Sequence, residues 1–170
     1  PFQMALEEAG VYEKIFIKQK GEEDTIAPPA PVQAPKRVTV TITRVENVDD
    51  GIDLVGPADF FAEVTIGGTV TNTPIKLNDN KHSPNWSVSK DVDANTVSIT
   101  IRLIDDDSPT TADDLCDLNP ATDKKSLFLT YNLRTGQITG SVAGSKGQEI
   151  TATGRGDSDK CMIRFKINHT

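Results

Sequence analysis

The sequence predicts an all-β fold, an antiparallel β-sandwich, and three observations carry that prediction. Apolar and polar residues alternate in separate runs from Arg37 to the C-terminus. Turn signals rich in Gly, Asn and Asp separate those runs, and no helical period survives between them. Short strands at such spacing, with no intervening helices, close most simply as two antiparallel sheets packed face to face.

Taken in order, residues 1–20 (PFQMALEEAGVYEKIFIKQK) are helix-compatible at first and then alternate through Ile15 and Ile17. They read as an N-terminal segment, the tail of a preceding module. Residues 21–36 (GEEDTIAPPAPVQAPK) hold four prolines and few large apolar groups. Proline fixes φ and removes a donor, so this segment reads as an extended linker. The sandwich domain is expected over residues 37–170. Its first strand, RVTVTITRV, sets Val38, Val40 and Ile42 against threonines, as a strand with one buried face requires. The same period recurs at Phe60, Ala62, Val64, Ile66 and at Val97, Ile99, Ile101, Leu103. It appears again at Leu127, Leu129, Tyr131, Leu133 and at Cys161, Ile163, Phe165, Ile167. The segments IGGT, LNDN, RTG, GSKG and GRGDSD lie between runs and supply turns.

At 170 residues the chain is long enough for a sizeable core. A formal net charge of −7 argues against nucleic acid as a partner. No apolar run approaches the ~18 residues that span a bilayer. The numbered chain begins at Pro1 and reads as a fragment or a processed product, with only a compositional lean toward an extracellular or cell-surface location. Cys116 and Cys161 are the two cysteines, compatible with one disulfide or with two buried thiols. No Cys/His spacing suits zinc.

The chemistry concentrates in LIDDDSPTTADDLCD, Leu103 to Asp117, where fifteen residues contain six aspartates. Like charges so crowded repel, which leaves two readings: a solvated acidic loop, or a bound cation. Spacing favours the cation. Asp53 and Asp59 form D-x5-D in the first acidic loop, and Asp105, Asp107 and Asp113 form D-x-D-x5-D in the second. Loops at one end of a sandwich lie side by side, and calcium takes six to eight oxygens in irregular geometry, so five carboxylates with main-chain carbonyls suit Ca2+ better than Mg2+.

These two spacings, each after a strand, resemble the calcium-binding loops of C2 domains. Between them Ser83-Pro84-Asn85-Trp86 resembles that family's Asn-Pro-x-Trp turn, with Ser in place of Asn. ADFFAEVTI resembles its Asp-Pro-Tyr-Val strand opening, with Phe60 and Phe61 in place of Pro-Tyr. The resemblance covers roughly Arg37 to Asp117 and implies an eight-stranded C2-like sandwich. The strand-like runs after Asp117 lean toward the second of the family's two topologies. It also implies that Asp53, Asp59, Asp105, Asp107 and Asp113 are side-chain calcium ligands. Asp106 then falls at a main-chain carbonyl position, and Thr110 where a hydroxyl helps a further ion. Asp50, Asp114 and Asp117 fall outside the pattern, as supporting or merely solvated groups. In the family such calcium attracts anionic phospholipid headgroups or locks a protein-binding surface, and Leu54 and Val55 beside Asp53 would meet the membrane. The alternative is a calcium-stabilised structural, accessory or adhesive domain of a larger extracellular protein that binds no lipid.

Rival constellations are thin. Crowded aspartates on an open loop lack the apolar burial that separates an acid from a base, and neither a nucleophile elbow nor a phosphate loop is present, so no enzymatic activity is expected. GRGDSD contains the integrin-read tripeptide Arg155-Gly156-Asp157, but Gly and Asp are equally what a tight turn demands.

Overall fold

The computed structural model describes residues 34–49, 57–76, 78–107, 112–122 and 124–170. The helix-compatible segment 1–20 and most of the Pro-rich stretch lie outside them. Among the described residues twelve strands run in chain order: β1 Lys36–Asn47, β2 Phe60–Ile66, β3 Thr69–Asn72, β4 Lys81–His82, β5 Trp86–Val92, β6 Thr96–Asp105, β7 Asp114–Leu115, β8 Leu127–Asn132, β9 Gln137–Gly140, β10 Gly144–Ser145, β11 Ile150–Thr153 and β12 Cys161–His169. The tally exceeds eight partly because β4, β7 and β10 are two-residue pieces at sheet margins.

One sheet has the order β11-β12-β1, with β4 and β5 both pairing along the other side of β1. The second has the order β10-β9-β8-β6-β2-β3, with β7 pairing the end of β6. Every ladder between these strands is antiparallel. The alternating residues named from the sequence form the interior: Val38, Val40, Ile42, Phe60, Ala62, Val64, Ile66, Ile99, Ile101, Leu103, Leu127, Tyr131, Ile163, Phe165 and Ile167 are all buried. A fully buried side chain of this size contributes about 1.5–3 kcal/mol. An exposed ion pair such as Arg37–Asp91, with both side chains more than half exposed, contributes at most about 1 kcal/mol, so the core dominates.

β1 departs from simple alternation. Its pairing with β12 shifts between Ile42 and Arg44, a bulge that leaves Thr43 as the extra residue. The shift flips the phase, so Val45 rather than Arg44 enters the core. At Asn85 the SPNW turn adopts φ +50°, a left-handed conformation that Asn tolerates better than most residues. Trp86 then opens β5 opposite Ile42 and packs against the core.

At the far end of the sandwich from the acidic loops, the Tyr131 hydroxyl and His169 Nδ1 lie 2.6 Å apart. Burial, together with the charges of Lys146 and Lys36, lowers the His169 pKa below its ordinary 6.5. The folded state therefore favours neutral imidazole, while the unfolded chain takes up a proton first as pH falls. Stability from this pair is complete above pH ~6.5 and declines as pH falls toward the lowered value. His169→Gln should consequently lose less of its urea midpoint than the parent between about pH 7 and pH 5. Equal losses in the two proteins would remove His169 from the acid response.

Candidate functional site

Strand register decides what meets at the acidic end. β2 and β6 pair so that Phe60 faces Asp105 and Ala62 faces Leu103. The residue before β2, Asp59, is thereby set beside the end of β6. Its backbone N–H donates to Asp105 Oδ1 at 2.5 Å, and its carbonyl accepts the Asp106 N–H at 3.0 Å. The last residue of the first acidic pattern and the first of the second are in direct contact.

Asp105 continues the inward-facing series Ile99, Ile101, Leu103 and is 1% exposed. A carboxylate occupies the last core position of the strand, where the sandwich opens into its loops. Asp106 and Asp107 are half-buried, whereas Asp113 and Asp114 are exposed. β7 returns antiparallel along β6, with Asp114 opposite Asp105 and Leu115 opposite Ile104, so this end carries a dense negative field.

A third loop joins them, which the spacing of aspartates did not indicate. The Asn78 N–H donates to Asp59 Oδ1 at 2.5 Å, and Asn78 itself takes φ +52°. Asn80 Oδ1 accepts the Ala58 N–H at 2.9 Å, while the Asp79 N–H donates to the Ala58 carbonyl at 3.0 Å. The Asn80 carbonyl also accepts the Asn47 N–H at 2.8 Å, tying this loop to the end of β1. Asn78 to Asn80, within the segment LNDN read from the sequence as a turn, form the strut that orients Asp59.

Of the predicted ligands, Asp59, Asp105, Asp106, Asp107 and Asp113 are described, and Asp59 and Asp105 are hydrogen-bonded to each other. Asp53, Leu54, Val55 and Thr110 lie outside the described residues. Among the described residues, no three His, Cys, Asp or Glu side chains converge on one point. The side-chain oxygens this end offers, the carboxylates of Asp59 and Asp105 and the carboxamide of Asn80, are hard oxygens of the kind calcium takes.

Asp117 is neither solvated nor part of that set. It is 2% exposed, and its carboxylate accepts the Asn119 N–H at 3.0 Å and the Gly156 N–H at 2.6 Å. Its backbone also bridges Lys160 in parallel, donating to the Asp159 carbonyl and accepting the Cys161 N–H. Asp117 thus holds the GRGDSD turn from inside, with Arg155 and Asp157 left exposed on either side of Gly156. A Cβ on Gly154 would overlap the Asp117 carbonyl oxygen, which explains glycine there.

No protein-family model matches the sequence, and no curated protein does. Solved structures do resemble the fold. A C2 domain superimposes with a TM-score of 0.53 at 15% identity, covering 79% of this chain and 98% of its own. A calcium-bound structure of two C2 domains of extended synaptotagmin 2 gives 0.54 at 13% identity, over 81% of this chain and 46% of that one. Human GIVD cytosolic phospholipase A2 gives 0.52 at 15% identity over 83% of this chain, which spans only 17% of the phospholipase. The shared property is the fold, and the sandwich is C2-like.

Proposed function

We propose that residues 37–170 are a calcium-dependent docking module for anionic phospholipid surfaces. The observation that supports this most is the β2–β6 register, which sets Asp59 of D-x5-D against Asp105 of D-x-D-x5-D at one end of a C2-like sandwich. Asp53, Asp59, Asp105, Asp107 and Asp113 hold the ion, with the Asp106 carbonyl and Thr110 beside them. When bound, calcium supplies positive charge that these carboxylates lack, and sites that phosphate or carboxylate oxygens of a lipid headgroup can complete. The chain's own part is orientation. Asn78 and Asn80 hold Asp59 and Ala58, and the buried end of β6 holds Asp105. Leu54 and Val55 then enter the interface once the neighbouring charge is neutralised.

Melting in EDTA and in millimolar calcium tests the first half. A ligand at a hundredfold excess over Kd adds about 2.7 kcal/mol to the native state, which for a domain this size raises the midpoint by roughly 8 °C. Equal midpoints remove calcium. Sedimentation with vesicles containing anionic lipid tests the second half, since calcium should promote pelleting and Leu54→Asp with Val55→Asp should weaken it. A calcium-dependent melt without pelleting leaves a calcium-stabilised structural or accessory domain instead.

A further inference from the structure

Cys116 and Cys161 come from opposite sheets. Cys116 follows β7, its N–H donating to the Leu103 carbonyl of β6 at 3.0 Å. Cys161 opens β12, its N–H donating to the Asp117 carbonyl at 2.9 Å. The parallel bridge between Asp117 and Lys160 sets the two cysteines on neighbouring backbones, Cys116 one residue before the bridge and Cys161 one residue after it. Both are fully buried and reduced. Their surroundings are the stem of the second acidic loop on one side and the base of the Gly154–Lys160 turn on the other.

We infer that Cys116 and Cys161 are an oxidation site, closed by a small-molecule disulfide into an intramolecular bridge that latches the stem of the second acidic loop to β12. In balanced form, one cysteine thiolate attacks the reagent disulfide and releases one small thiol. The second cysteine thiolate then displaces the other small thiol from the mixed disulfide. Two cysteine S–H protons leave, one S–S bond forms, the reagent's S–S bond breaks, and two electrons pass to the reagent. The hydrogen bonds at the Cys116 and Cys161 amides tie both backbones to the strands around the Asp117–Lys160 bridge, across which the new S–S bond closes.

The partners explain why the pair is reduced until opened. Burial, then the neighbouring Cys161 thiol and the nearby charges of Asp105 and Asp159, push the Cys116 pKa well above its ordinary value. The thiol is consequently a poor nucleophile in the closed fold. Reaction proceeds through local opening or during folding.

The test uses the full chain in glutathione buffers running from fully reduced to mostly disulfide, followed by denaturing alkylation and mass measurement. A second sample is refolded from denaturant in the oxidising buffer, which removes the access barrier. The expected product is a monomer with no alkylatable thiol, and its melting midpoint lies above that of the reduced chain by on the order of 5–10 °C. Cys116→Ala, oxidised in parallel, should yield only a mixed disulfide. Two alkylatable thiols after oxidative refolding overturn the inference. So does an intermolecular dimer, or a bridged monomer that melts no higher than the reduced protein.

Discussion

Asp117→Ala should lower the free energy of unfolding by about 3–5 kcal/mol, the cost of emptying a buried, hydrogen-bonded carboxylate site. The carboxylate accepts two backbone N–H groups, those of Asn119 and Gly156, and alanine offers neither of them an acceptor. Hydrogen bonds to a charged group contribute about 1.5–3 kcal/mol each, and the donors left behind in a buried site bring their own desolvation cost. Backbone contacts of Asp117 with Asp159 and Cys161 survive the substitution, so the fold should weaken without being abolished. Asp117→Asn should fall between, because one oxygen still accepts while the new NH2 faces a donor. Gly154→Ala should be comparably damaging from the other side, since its Cβ meets main chain of Asp117 rather than a flexible side-chain tip. Urea unfolding of the three variants measures this. A change below about 1 kcal/mol for Asp117→Ala would show the carboxylate to be dispensable.

Asp117 also marks where the sequence stops being legible. In Asp113, Asp114 and Asp117 nothing in the spelling separates the exposed residues from the buried one. The difference arises from a parallel bridge to Lys160, a partner far along the chain. Strand interiors were legible for the opposite reason. Val38, Val40 and Ile42, or Val97 through Leu103, alternate because one face is buried along its whole length, so local pattern and global burial agree. Thr43 breaks that agreement, since a bulge flips phase without any compositional signal. β3 and the short β10 were invisible because they pair at sheet edges with little side-chain burial, and burial is what writes the pattern. At the acidic end, spacing identified Asp59 and Asp105 but not their orientation. Asn78 and Asn80 provide that, and a turn-rich LNDN reads the same whether or not it braces a neighbour.

Asp105→Asn should separate the two readings of the acidic end, because its effect reverses sign with calcium. Asp105 sits within a field set by Asp59, Asp106, Asp107 and Asp114, and its own Oδ1 accepts the Asp59 N–H. Asparagine keeps an oxygen for that hydrogen bond and nearly the same volume, so packing at the end of β6 is conserved. What changes is one negative charge. In EDTA the variant should be as stable as the parent or more stable, since repulsion with neighbouring carboxylates is relieved. In millimolar calcium the order should invert. The parent gains the binding free energy, about 2.7 kcal/mol at a hundredfold excess over Kd, while the variant has lost a central charged ligand and gains little of it. An acidic end with no metal role makes a different forecast: Asp105→Asn would then shift both melts equally, and the calcium response would be that of general screening, shared by sodium at matched ionic strength. Melts of parent and variant in EDTA, calcium and ionic-strength-matched sodium decide it. Crossing curves require an ion held at Asp105, and parallel curves eliminate it.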